Sequence, residues 1–357
     1  MSAGICIEDF GVTASGATVQ RALLRNDVGA SVAILSYGGT IQRIDLPGDD
    51  GPTNVVLGYA TLAEYEACTT YFGAFVGRYA NRIADAGFGL DGIRFELDRN
   101  DDFGTVHGGS AGFDRRVWQM REVGTPDGVA VELRLQSPDG DSGFPGTLDV
   151  VVRYVLARDA PTLRWEARAR TDAATVVNLT GHSYFQLAGE GKGSVLDHVL
   201  QIDADAYLPV DERLLPTGEF APVEGSPFDF REPTRIGERI RDAHEQLLRG
   251  QGYDHNYVLR PGGGELRRAA RLTDPASARW LEVWTTEPGL DVYTGNFLDG
   301  SDVGPRGRIY RQGDGIALEP EHFTDSPNRP HFPSTVLRPG EVYRTATEYR
   351  FGREPRS

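Results

Sequence analysis

Between residues 129 and 169 apolar and polar side chains alternate with a period of two, in three successive segments. Val129, Val131, Leu133 and Leu135 enclose Ala130, Glu132 and Arg134, and Leu148, Val150, Val152, Tyr154 and Leu156 enclose Asp149, Val151, Arg153 and Val155. Leu163, Trp165, Ala167 and Ala169 then alternate with Arg164, Glu166, Arg168 and Arg170. That period sends one set of side chains to each face of a strand, so the segments read as half-buried antiparallel strands with one polar face. Turn clusters bound them, Pro126-Asp127-Gly128 and Pro138 to Gly143, and Pro261-Gly262-Gly263-Gly264 marks another turn further along. The 44 glycines and 21 prolines exceed average usage with no collagen-like period, which again favours a turn-rich, all-β chain.

Helical periodicity is confined to short pieces. The spacing predicts a helix over Thr234 to Leu248, with Thr234 as its cap and Ile236, Ile240, Ala243, Leu247 and Leu248 as its apolar stripe, and one or two turns over Thr61 to Ala67. There is no βαβ alternation, no GxGxxG after a strand, no P-loop and no fixed-period repeat. The best candidate boundary, Leu208 to Pro233, keeps Phe220, Phe228 and Phe230, which a free linker has no use for. One continuous, very large β-sandwich spanning residues 1–357 is therefore expected, although 357 residues exceeds ordinary domain length.

A formal charge of -15 with a single lysine, Lys192, argues against nucleic acid or an anionic membrane as the partner, because either needs a clustered basic surface. Two cysteines, Cys6 and Cys68, make neither a disulfide framework nor a CxxC metal spacing. The first ten residues lack a basic n-region and a long apolar h-region, and no run of about 18 apolar residues occurs. A soluble, cytoplasmic protein is expected, monomeric or weakly dimeric.

Four segments place ionisable groups among glycines and aromatics: Gly77 to Ile83, Val106 to Gly109, Asn178 to Phe185, and Ala317 to Asn328; Tyr253 to Tyr257 is a weaker fifth. Each residue has a plain structural explanation. His107 before two glycines can serve its own turn, His182 can be a satisfied core histidine, Arg82 can pair with an acid at a strand end, and Asp254 can be a turn aspartate. Glu319 is harder to dismiss, because an acid after the apolar Ile316-Ala317-Leu318 must be paired, exposed or protonated. Together they offer carboxylates, imidazoles and a guanidinium, a set suited to proton transfer on a polyhydroxylated ligand. A metal site from His107, His182, Asp254 and Glu319 lacks any HxxxH or HExxH pair on one element. Ser183 does not lie in a GxSxG elbow. Glycoside hydrolysis by Glu319 with Asp254 would leave both histidines idle.

In order along the chain, Gly77-Arg78-Tyr79-Ala80-Asn81-Arg82-Ile83, His107-Gly108-Gly109 with Gly112-Phe113-Asp114, Asn178 to Phe185, Tyr293-Thr294-Gly295-Asn296, and Leu318-Glu319 through Pro327-Asn328 resemble the aldose 1-epimerases, the galactose mutarotase group. The resemblance runs from about Ser36 to Glu341. It implies a large antiparallel β-supersandwich in one domain, no cofactor and no metal, and interconversion of the α and β anomers of a free monosaccharide. It makes Glu319 the general base and His182 the general acid, protonated in the active form, with His107 a second donor near the ring oxygen or C1. Asn81, Arg82, Asp254 and Asp291 would hold sugar hydroxyls, and Tyr184, Phe185 or Tyr293 would lie against an apolar sugar face. Two departures stand out: Asp291 occupies a position where the family usually has Gln, and Glu321 another where Gln is frequent. A non-catalytic carbohydrate-binding protein is the alternative of another class, though a pure binder needs no base opposite an acid. A hexose-6-phosphate epimerase is the alternative closer in chemistry, and it would want more positive charge than this chain carries.

Overall fold

The computed structural model describes residues 3–48 and 51–355. The alternating segments are long antiparallel strands, Gly128–Ser137, Leu148–Ala157 and Thr162–Thr171. They lie side by side in a nine-stranded sheet in the spatial order Gln119–Val123, Gly128–Ser137, Leu148–Ala157, Thr162–Thr171, Tyr343–Arg353, Arg279–Thr285, Arg267–Asp274, Val199–Ile202 and Thr234–Arg235. On its polar face Glu132 pairs with Arg121 and Arg134 at 2.6 and 2.8 Å. The other face packs onto a six-stranded antiparallel sheet, ordered Tyr184–Phe185, Ile316–Glu321, Gly289–Tyr293, Asp254–Leu259, Ala204–Tyr207 and Ala221–Pro222. One apolar cluster spans both sheets, with Val131, Val150, Trp165 and Val283 from the first and Leu290, Val292, Ile316 and Leu318 from the second. Burying such side chains contributes roughly 1.5–3 kcal/mol each. A five-stranded sheet from Gly4–Val12 to Thr53–Asn54 completes the architecture.

The six-stranded sheet is covered on both faces, and its alternation decides what each face carries. In Ile316–Glu321 all six residues are buried. Ile316 and Leu318 enter the shared core, which by the period of two turns Ala317, Glu319 and Glu321 to the opposite face. Leu290 and Val292 likewise join the core, leaving Asp291 and Tyr293 beside Glu319. The functional side chains thus stand on the back of a rigid core sheet.

Thr61 starts the expected short helix, Leu62–Ala67, through a capping box: its amide donates to Glu64 Oε2 at 2.8 Å while its side chain accepts from the Glu64 amide. The helix expected over Thr234 to Leu248 does not form as one element. Thr234–Arg235 is a strand edge, Ile236–Glu238 a 3-10 turn, and only Glu245–Gly250 is α-helical, capped by His244. Thr234 and Arg235 pair with Leu200 and Val199 as a sheet edge, and the amides of Ile236 and Gly237 donate to His198 and Leu196 carbonyls at 2.9 and 2.8 Å, which ties this stretch to the neighbouring strand. Thr234 donates its hydroxyl to Glu232 O, and Leu248 is 74% exposed. In the stretch from Leu208 to Pro233, Phe228 and Phe230 sit in the main core, while Phe220 packs on Phe323 and Phe332. Both cysteines are free, and no described helix is long and apolar enough to cross a membrane.

Candidate active site

Asn81, Arg82, His107, His182, Asp254, Asp291 and Glu319 all line one pocket of about 220 Å³. Asp291 and Glu319 are directly opposite each other on neighbouring strands, as are Asn256 and Asp291, and Asp254 lies two residues before Asn256 on the same face. Carboxyl groups from three adjacent strands therefore converge. His182 follows the strand Thr180–Gly181, where its amide donates to Ala74 O and its carbonyl accepts from the Gly73 amide, both at 2.9 Å. Its imidazole stacks with Tyr71 at 5.8 Å and Tyr184 at 5.0 Å between ring centroids. So oriented, Nε2 lies 3.4 Å from Glu319 Oε1. His182 Nδ1 and Glu319 Oε2 are buried with no hydrogen-bond partner among the described residues.

The strands Arg82–Ala84 and Gly104–Val106 hydrogen-bond to each other, and Asn81 and His107 face the pair from their adjoining ends, Asn81 just before the first and His107 just after the second. Both are left-handed, with φ of 62° and 52°, a region in which asparagine and histidine are enriched among non-glycine residues. They hold one another there: the His107 amide donates to Asn81 O at 3.0 Å, and the Asn81 amide donates to His107 Nδ1 at 3.1 Å. Because Nδ1 accepts, the ring proton of neutral His107 resides on Nε2, which makes it a hydrogen-bond donor. Asn81 Oδ1 accepts from the Arg82 amide and guanidinium at 3.0 and 3.3 Å, and Arg82 reaches Asp254 at 3.7 Å. The Asn81 amide donates to Glu321 Oε1, as does that of Asn256, both at 3.0 Å. Glu321 therefore stands behind Asn81 and outside the pocket wall.

Burial dominates the electrostatics. It lowers the His182 pKa to about 4, and together with the nearby His182 and Arg82 it lowers that of His107 well below the ordinary value. It raises Glu319 far above the carboxylate range, reinforced by Asp291, Glu321 and Asp254 and partly offset by Arg82. Asp291 rises to about 8 through burial and then Asp254, against Arg82 and the Asn81 hydrogen bond. Asp254 rises through burial, opposed by Arg82, and Glu321 through burial and Asp291, opposed by Asn81 and Asn256. Burial thus works against charge on both partners, favouring the neutral imidazole of His182 and the protonated carboxyl of Glu319, against the expectation of a protonated His182, because a buried cation loses its hydration without gaining a full counter-charge.

Tyr184 and Tyr293 stand at the wall as expected, but Phe185 does not. Phe185 is fully buried in the core against Tyr349 and Phe351, since successive strand residues point to opposite faces. Tyr71 and Asn256 were not singled out from the sequence. Asn256 carried a signal, the period-two step from Asp254, whereas Tyr71 lies in a loop with no pattern. Among the described residues no group of three or more His, Cys, Asp or Glu is arranged to hold a metal ion.

The family model for aldose 1-epimerase matches residues 20–350. The chain belongs to the aldose 1-epimerase family. It is 45% identical to the galactose mutarotase of Homo sapiens over 295 residues, 83% of either chain. Identity to the aldose 1-epimerase of Escherichia coli K12 is 41% over 298 residues, 83% of this chain and 84% of that one. The crystal structure of galactose 1-epimerase from Lactobacillus acidophilus superposes with a TM-score of 0.86 at 29% identity, covering 99% of each chain. The expected all-β, mutarotase-like architecture is the one observed.

Proposed function

We propose that this pocket interconverts the α and β anomers of a free aldose, with Glu319 and His182 exchanging protons with the C1 hydroxyl and the ring oxygen O5. The observation that carries the proposal is the 3.4 Å approach of the two groups inside a buried pocket lined by polar side chains. Between them the pair needs one proton, and moving it across a short contact leaves their summed charge unchanged. Burial raises the Glu319 pKa and lowers that of His182, so without a sugar the proton favours Glu319. A sugar hydroxyl donating to the carboxylate, with O5 accepting from the imidazolium, favours the arrangement in which Glu319 is ionised and His182 carries the proton. Glu319 then takes the proton from the C1 hydroxyl while His182 delivers one to O5, and the C1–O5 bond opens. Rotation about C1–C2 presents the other carbonyl face. The same groups in reverse close the ring and restore the starting protonation. His107, a neutral Nε2–H donor, stabilises oxygen charge developing near C1 or O5, and Asn81, Arg82, Asp254 and Asp291 fix the remaining hydroxyls.

Among the described residues, Arg82 is the single cation on the pocket wall and it faces Asp254, Asp291 and Glu319. That balance disfavours a phosphorylated sugar. A base held against an acid likewise exceeds what a binding module requires. The same proposal takes the chain as one domain working as a monomer or weak dimer in the cytoplasm, which the free thiols of Cys6 and Cys68 support.

Anomeric proton NMR on freshly dissolved α-D-galactose, α-D-glucose, xylose and arabinose tests the proposal. At least one sugar should equilibrate far faster with protein than without. Glu319→Gln, nearly isosteric, should keep the fold and sugar binding while lowering kcat roughly 10²–10⁴-fold. Retention of more than about a tenth of wild-type kcat contradicts the role of Glu319.

A further inference from the structure

Glu321 shares the sheet face of Glu319 but stands outside the pocket, and it is completely buried. A buried acid needs partners, and its Oε1 has two, the side-chain amides of Asn81 and Asn256, each 3.0 Å away. They come from separate parts of the fold. Asn81 precedes the strand Arg82–Ala84, whereas Asn256 lies on Asp254–Leu259, which is separated from Ile316–Glu321 by the intervening strand Gly289–Tyr293. To reach Glu321 the Asn256 side chain has to cross that strand, and Gly289 is the residue of it directly opposite Glu321. A Cβ on Gly289 would lie 2.4 Å from Asn256 Oδ1, so only glycine leaves the path open. The sheet is thus built to let Asn256 and Asn81 meet on one carboxyl oxygen.

The meeting point fixes the orientation of the Asn81 amide. Its Oδ1 faces the Arg82 backbone amide and guanidinium at 3.0 and 3.3 Å, and both of these groups only donate. Reversing the amide would set NH2 against those donors and a carbonyl against the Glu321 oxygen, which is unfavourable at both ends. Burial, and then Asp291, favour the neutral carboxyl of Glu321, which still offers a carbonyl acceptor. Asp291 also receives an Asn81 hydrogen bond, but it lines the pocket, where a sugar hydroxyl competes for its oxygens. Glu321 is the acceptor that a sugar does not reach.

We propose that Glu321 is a positioning residue that acts through Asn81 to hold the Arg82 guanidinium toward the sugar. The inference rests on the anomer-interconverting function proposed above, in which Asn81 and Arg82 fix sugar hydroxyls. Without the Glu321 acceptor the Asn81 amide is free to turn, and Arg82 keeps only its 3.7 Å contact with Asp254 as an anchor. Glu319 and His182 are untouched, so the loss falls on sugar binding and raises KM more than it lowers kcat.

The test measures kcat and KM separately, by polarimetry on galactose and glucose, for the wild type, Glu321→Gln, Glu321→Met, Asn81→Ala and the double variant of the last two. Methionine matches glutamate in length and offers no oxygen, whereas the glutamine carbonyl accepts from both asparagines. KM should rise about tenfold in Glu321→Met with kcat within about threefold, and Glu321→Gln should stay within about threefold in both. Adding Glu321→Met to Asn81→Ala should raise KM by no more than about twofold, because the effect travels through Asn81. Should Glu321→Met fail to fold, Glu321→Asp, which withdraws the carboxyl by one methylene, carries the same expectation of a raised KM and the same double variant. An unchanged KM, a fall in kcat alone, equal losses in Glu321→Gln and Glu321→Met, or losses that multiply in the double variant each overturn the positioning role and leave the catalytic proposal intact. A wild type inactive on every sugar defeats the catalytic proposal, and this inference with it.

Discussion

Replacing Asp291 by Gln should move the alkaline limb of the kcat/KM profile to lower pH while the acidic limb moves far less. Asp291 is directly opposite Glu319 on the adjacent strand, which sets their β-carbons about 5 Å apart. At an effective dielectric of about 20, two unit charges at that separation repel by roughly 3 kcal/mol, equivalent to about 2 pKa units. The repulsion acts only when both groups are ionised. With the Asp291 pKa raised to about 8, its charge is small below that pH and grows above it. On the proposed mechanism the Glu319–His182 pair loses its single proton on the alkaline side, where Glu319, already raised by burial, ionises against Asp291. A glutamine removes that resistance, so the proton leaves at lower pH, by up to about 2 units. On the acidic side Asp291 is protonated and nearly equivalent to an amide in charge. Profiles from pH 4 to 10 on galactose and glucose, with circular dichroism at each pH to confirm folding, supply the measurement. An alkaline limb that stays put or rises would refute the placement of a charge-bearing Asp291 beside the base. Because a glutamine also donates, where an ionised aspartate only accepts, the ranking of sugars should shift chiefly through KM.

Two further outcomes follow from the same structure. Phe185→Ala should cost about 3–5 kcal/mol in denaturant unfolding, as expected for a fully buried phenylalanine, while kcat/KM of the folded fraction stays within about twofold; a large catalytic loss at unchanged stability would put Phe185 back at the pocket. Stability should also fall as pH rises from about 6.5 to 8. Asp291, with a folded pKa near 8, retains its proton across that window while the unfolded chain has released it, and His322, raised by its 2.6 Å contact with Glu287, has the same sign. The folded state then binds more protons than the unfolded, which makes the slope negative, about 1.4 kcal/mol per pH unit for each such proton. The buried histidines with lowered pKa values oppose this near pH 6.5, where each unfolded imidazole still holds about half a proton that the folded one lacks, and their contribution fades within about one pH unit, so the fall is clearest above about pH 7. Asp291→Asn should flatten the slope measured by chemical unfolding, and an unchanged slope would mean that Asp291 ionises normally.

How much of this was legible in the sequence depends on whether a residue's neighbour is set by local period or by distant chain. The strands from Gly128 to Thr171 were legible because alternation is local and each strand pairs with the next through a short turn. Glu319 was legible for a related reason. An acid ending an apolar run contradicts its surroundings, and the strand's period of two turns it away from the core-facing Ile316 and Leu318 to lie opposite Asp291. The helix over Thr234 to Leu248 failed because its apolar period was real but its first residues, Thr234 and Arg235, are taken up as an edge strand against Val199 and Leu200. Phe185 was misplaced because the resemblance supplied a motif and the strand supplied the parity: in Tyr184–Phe185 only one of the two can face the sugar. Seven candidate side chains scattered from Asn81 to Glu319 meet because elements distant in sequence come together, Asp254, Asp291 and Glu319 on the six-stranded sheet and the other four on or beside two separate two-stranded pairs, which no local pattern encodes. The protonation states lay furthest from the sequence. Histidine and glutamate in a motif suggest a charged acid and a charged base, yet both groups are more than nine-tenths buried with Arg82 the single cation on the described pocket wall, and burial works against both charges. On the proposed mechanism a sugar hydroxyl donating to Glu319 and a ring oxygen accepting from His182 would supply the partners that burial withholds, which ties acid–base poise to ligand binding.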